Sequence, residues 1–69
     1  MKLNELIKVL QSDSSVVINL NDEIIFEEIA YFYYELNDKY DDYEVYNVAA
    51  EEDDCGIPII IIYIRKGLK

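Results

Sequence analysis

Apolar residues at Leu3, Leu6, Ile7 and Leu10 recur at i, i+3, i+4 and i+7, the spacing that lines one side of a helix. Ser12-Asp13-Ser14 follows, and these side chains compete for backbone hydrogen bonds and end helices. From Val16 the period changes to two. Val16, Ile18 and Leu20 alternate with Val17 and Asn19, which is strand periodicity. A turn at Asn21-Asp22 alone would set Leu20 against Glu23 and Val16 against Glu27. A three-residue loop, Asn21 to Glu23, sets Leu20 against Ile24 and Ile18 against Phe26. Register follows the buried face, so the longer loop is expected.

Ile29, Phe32, Tyr33, Leu36 and Tyr40 return to helical spacing, predicting a second helix from about Glu28 to Lys39. Glu27 and Glu28 would then sit at its electropositive start and Lys39 at its electronegative end. Tyr31 and Tyr34 fall off the apolar stripe and are expected at the surface. Tyr43 to Ala50 reads as a strand, Glu51 to Gly56 as a turn and Ile57 to Arg65 as the last strand. Pro58 lacks an N–H for the ladder and belongs at that strand's start or on an edge. The expected fold is a single small acidic α+β domain over residues 1–69. Its order is α-β-β-α-β-β, with a four-stranded, mainly antiparallel sheet and two helices.

Ile59-Ile60-Ile61-Ile62 presents isoleucine to both faces of its strand, where a strand with one wet face would alternate. Either the two helices cover opposite faces of the sheet, or a second copy in a homodimer covers the face left open. A monomer with scattered exposed isoleucine is the ordinary alternative.

Sixty-nine residues, 52% of them hydrophobic, make a packed domain with a thin core. Small secreted domains compensate with disulfides, but Cys55 is the only cysteine. The longest apolar run, Ile57 to Ile64, is far shorter than the roughly 20 residues of a membrane span. A cytoplasmic setting, in a host cell, and no membrane partner are therefore expected.

Charge narrows the class further. Fifteen acids against six bases give −9. Residues 21–54 hold thirteen acids against Lys39 alone, a net of −12. Such a field repels nucleic acid and attracts proteins that handle it; a dozen carboxylates on one face would imitate on the order of 20 Å of duplex, at one charge per roughly 1.7 Å. Solubilisation of a small apolar domain is the plainer role for the same acids. Seven tyrosines and no tryptophan add rigid contact area with polar tips. Tyr33 and Tyr63 suit core filling. Tyr31, Tyr34, Tyr40 and Tyr43 are interleaved with Glu35, Asp38, Asp41 and Asp42, a mixture suited to a partner rich in Lys and Arg.

Reactive chemistry is sparse. Without histidine there is no triad base and no usual zinc site. Gly56 and Gly67 alone make no phosphate loop. Asp53 and Asp54 beside Cys55 oppose a reactive thiolate. Glu51-Glu52-Asp53-Asp54 has carboxylates for a hard cation but lacks the alternating ligands and central glycine of a calcium loop. No enzyme, metal site or cofactor is expected.

The opening MKLNELIKVL, the segment SVVINLNDEIIFEEI and the ending VYNVAAEEDDCGIPIIIIYI resemble small acidic proteins encoded by phages and prophages of Gram-positive bacteria. The family pattern often carries glycine after the phenylalanine-glutamate pair, where this chain has Glu28. Some small acidic phage proteins are anti-CRISPR inhibitors that occupy DNA-binding surfaces of host nucleases, and the resemblance implies such a counter-defence role.

The combined expectation is an inhibitor that occludes the basic surface of a host nucleic-acid-handling protein, a CRISPR effector nuclease among the candidates. Asp38, Asp41, Asp42, Glu44, Glu51, Glu52, Asp53 and Asp54 would supply charge, and Tyr40 and Tyr43 would anchor. Two alternatives stand beside it. One is a dimeric binder of a small signalling nucleotide, using Arg65, Lys66 or Lys69 on phosphate. The other is a phage structural or assembly module.

Overall fold

The computed structural model describes residues 1–36 and 39–67. Along the chain these form helix α1 (Leu3–Val9), strands β1 (Ser15–Leu20) and β2 (Glu23–Ile29), a 3-10 helix (Ala30–Leu36), and strands β3 (Glu44–Glu52) and β4 (Pro58–Arg65). The four strands make one sheet in the order β2-β1-β4-β3. Two antiparallel hairpins, β1–β2 and β3–β4, are joined through a parallel pairing of β1 with β4. The small α+β domain expected from the pattern is the fold observed. Among the described residues no helix is long and apolar enough to cross a membrane.

The first hairpin combines both registers considered for it. Asn21 and Asp22 carry φ of 54° and 67°, the left-handed pair of a two-residue hairpin turn, and Leu20 pairs with Glu23. The expected three-residue loop is thus corrected near the tip. The register then shifts between Ile18 and Asn19, so that Ile18 meets Phe26 and Val16 meets Glu28. Ile25 is the extra residue of this bulge, and it restores the apolar pairing that the tight turn alone would lose.

The second helix departs from expectation in start and type. β2 runs on to Ile29, so Glu27 and Glu28 are strand residues and not a helix N-terminus. A 3-10 helix then occupies Ala30–Leu36. Ala30 and Tyr33 are buried and Phe32 and Leu36 pack partly buried against the core; Ala30, Tyr33 and Leu36 follow the three-residue turn, with Phe32 widening the covered side. Tyr31 and Tyr34 form the opposite ridge, exposed as expected at 57% and 61%. The Ala30 N–H donates to Ser14 O at 2.8 Å and the Tyr31 N–H to Ser12 O at 2.9 Å. These bonds pin the helix start to the loop after α1. Bulky aromatics with modest α-helical preference do not oppose the tighter winding.

Both helices lie on one face of the sheet. The core consists of Leu3 from α1, Ala30 and Tyr33 from the 3-10 helix, and Val16, Ile18, Phe26, Ile62 and Ile64 from the strands. Side chains opposite one another in a ladder share a face, so Val16, Ile18, Ile62 and Ile64 define an inner face. The five side chains with almost no exposure contribute on the order of 10 kcal/mol before ordering costs are subtracted. The idea that the helices cover opposite faces is overturned. Each is short and tied to the same side: the Leu3 N–H donates to Tyr43 O at 2.9 Å, and the 3-10 helix is pinned as above.

Among the described residues, the outer face therefore carries no helix. It is built of three rows, Ile29-Ser15-Ile59-Glu51, Glu27-Val17-Ile61-Ala49 and Ile24-Asn19-Tyr63-Asn47. None of its apolar residues packs against the core cluster. Pro58 opens β4 and pairs only with Glu52 of β3, which spares the β1 ladder its missing donor.

Candidate functional site

The sheet has two unlike ends. At one end β1 and β4 begin and β2 and β3 finish. Glu27 and Glu28 from β2 and Glu51 and Glu52 from β3 reach this end, and Asp53 and Asp54 extend it in the turn before β4. All six are exposed. Among the described residues no ion pair engages any of them. Asp53, with Glu27, Glu28, Ser15, Ile29 and Ile59 among its neighbours, lines an open groove of about 280 Å³ at this end of the sheet.

Asp53 also builds the turn that carries these acids. Its Oδ1 accepts the Cys55 N–H at 2.8 Å and the Ile57 N–H at 2.9 Å. The Gly56 N–H donates to Asp53 O at 2.9 Å, and Gly56 itself adopts φ of 80°, a conformation glycine accepts without steric cost. With its carboxylate committed to the backbone, Asp53 holds the turn while Asp54, Glu51 and Glu52 face solvent. Among the described residues no group of three or more acidic or cysteine side chains converges as a metal site.

The opposite end mixes both charges. The Lys2 Nζ lies 3.6 Å from Asp42 Oδ1. The Arg65 Nη2 donates to Glu44 Oε2 at 3.2 Å, and its Nε lies 3.5 Å from Oε1. This fork holds the Glu44 carboxyl below its ordinary range, first through the hydrogen bond and then through the guanidinium charge. Arg65 also sits 5.2 Å above the Tyr46 ring, which lies 6.3 Å from Tyr63. A second bulge, between Val45 and Asn47, brings Tyr46 to the outer face beside Tyr63.

The structure thus divides the residues expected to form one binding face. Asp38 lies outside the described residues. Tyr40 and Tyr43 stack edge to face at 5.1 Å and pack against the core, so their rings serve the domain's own interior. The Tyr33 hydroxyl donates to Asp41 Oδ1 at 2.5 Å, and Asp42 and Glu44 have cationic partners. Glu51, Glu52, Asp53 and Asp54 are at the other end of β3, about 26 Å away at roughly 3.3 Å per residue. In exchange, the acidic end gains Glu27 and Glu28. Their signal lay in the hairpin register, because pairing Ile18 with Phe26 also brings Glu28 to Val16 and so to the start of β1.

For a nucleotide phosphate the cations are poorly disposed. Arg65 is committed to Glu44 and Tyr46, and Lys69 lies outside the described residues. Lys2 and Lys66 line a cleft of about 470 Å³ with Tyr43, but Asp42 lines it too. Comparison with protein-family models, curated proteins and solved structures returns no match.

Proposed function

We propose that this chain is a non-catalytic binding protein that sets its acidic end into the basic, nucleic-acid-binding surface of a host protein and occludes it. A phage counter-defence protein acting on a nuclease such as a CRISPR effector would work in this way. One observation carries the reading: Glu27, Glu28, Glu51, Glu52, Asp53 and Asp54 share one end of the sheet, where no ion pair engages them among the described residues. Six charges across the roughly 15 Å from β2 to β3 approach the spacing of about one per 1.7 Å along duplex DNA.

The test is capture of host proteins on the tagged chain at low and high salt, followed by competition. The captured protein is expected to bind nucleic acid, to leave with added salt, and to release duplex DNA when this chain is added. Glu27→Gln, Glu51→Gln, Glu52→Gln and Asp54→Asn combined should weaken binding by about tenfold or more, whereas Asp42→Asn at the other end should not. Capture insensitive to both salt and neutralisation would reject the occlusion reading. Recovery of phage proteins alone would replace it with the assembly-module reading.

A further inference from the structure

We propose that a second copy of this chain covers the outer face of the sheet, with the strands of the two copies running in opposite directions. Ile59, Ile61, Val17 and Ile29 form an aliphatic centre on this face, and among the described residues no element packs them against the core cluster. The chain exposes 4999 Å², whereas a compact monomer of 8.1 kDa exposes about 4500 Å². The excess of roughly 500 Å² compares with a sheet footprint of about 380 Å², taken as four strands at about 4.8 Å by six residues at about 3.3 Å. An area of this size is at the low end for specific association. The dimer should accordingly be concentration-dependent.

Charge selects the direction of packing. Strands aligned in parallel would bring Glu27, Glu51, Asp53 and Asp54 of one copy over the same acids of the other. Reversed strands bring that end over Arg65, which the pairing with Glu44 puts on the outer face, and over the end that carries Lys2 and Lys66. The first arrangement sets acid over acid, whereas the second sets the acidic end over an end where Arg65, Lys2 and Lys66 stand beside Glu44 and Asp42, so the second carries the smaller repulsion. Glu28 and Glu52 lie on the inner face, by their pairing with Val16 and Pro58. They remain free in the dimer, so this inference does not depend on the proposed target.

Sedimentation equilibrium on the untagged chain should show a mass rising from 8.1 kDa toward twice that value with concentration. Ile61→Lys should abolish the rise with the circular dichroism spectrum unchanged. A single mass at all concentrations, or a dimer that survives in folded Ile61→Lys, would overturn the proposal. Should the variant unfold, a spin label on the wild-type Cys55, which is exposed in the β3–β4 turn, still decides. Reversed packing puts the two labels near opposite ends of a molecule 40 Å long. Parallel packing would bring them within roughly 20 Å, given sheets about 10 Å apart, and that distance would reject the arrangement.

Discussion

Arg65 ties together three side chains of the outer face that would otherwise be independent. Its guanidinium forks onto Glu44 and lies over Tyr46, which in turn leans on Tyr63. The fork lowers the Glu44 pKa, and a carboxylate whose folded pKa is depressed stabilises the fold above its unfolded value. That contribution disappears as pH falls through the folded value. Both partners are exposed, so solvent screening keeps the effect on stability small. In an NMR titration the Glu44 carboxyl should ionise below the ordinary glutamate range, and Arg65→Gln should return it to that range. A Glu44 titration unchanged by Arg65→Gln would separate the pair in solution. Tyr33 and Asp41 make the contrasting case, a hydroxyl and a carboxylate joined at the edge of the core. There the acid acts as an internal acceptor, which is why Asp41 belongs with the residues that hold the fold.

Among the elements, the β1–β2 hairpin shows how two competing rules are both obeyed. Asn21 and Asp22 satisfy the turn and Ile25 absorbs the resulting one-residue offset. Asp22 bears a left-handed φ of 67° with a side chain that tolerates it only in part. Asp22→Gly should raise stability by about 0.5 kcal/mol in urea unfolding, and a loss of stability would mean that the carboxylate supports the turn. Residue spacing alone, helical for α1 and alternating for the strands, made the first helix and both hairpins legible, apart from the tip of the first hairpin. The 3-10 helix was not. Over seven residues, spacings of three and four look alike, and Ala30-Tyr33-Leu36 is embedded in the same residues as Ile29-Phe32-Tyr33-Leu36. What distinguishes them is the pair of bonds from Ala30 and Tyr31 to the Ser12–Ser14 loop, a long-range constraint invisible to local patterning.

For the whole molecule, the acidity between residues 21 and 54 was plain in the sequence, but its division between two ends was not. β3 carries Glu44 to one end and Glu52 to the other, so neighbours in sequence become opposite poles. Conversely, Glu27 and Asp53 line one groove because β1 and β4 are adjacent at the sheet centre. That adjacency was the least legible feature, since nothing local specifies that residues 15–20 run parallel to residues 59–64. It also governs how the chain must reach this structure. Each hairpin closes over a few residues, whereas Ser15 pairs with Ile59, 44 positions away. Closing so long a loop costs about 3 kcal/mol more than a length-independent constant, and non-local pairing of this kind slows folding. The two hairpins should therefore form early and join late. Ile62→Val, at the junction, should accelerate unfolding more than it retards refolding in stopped-flow measurements, and a change confined to the refolding arm would place the junction first. During synthesis the edge of β1 that receives β4 has no partner strand until Pro58–Arg65 has left the ribosome, so the nascent chain carries an open strand edge while residues 21–57 emerge.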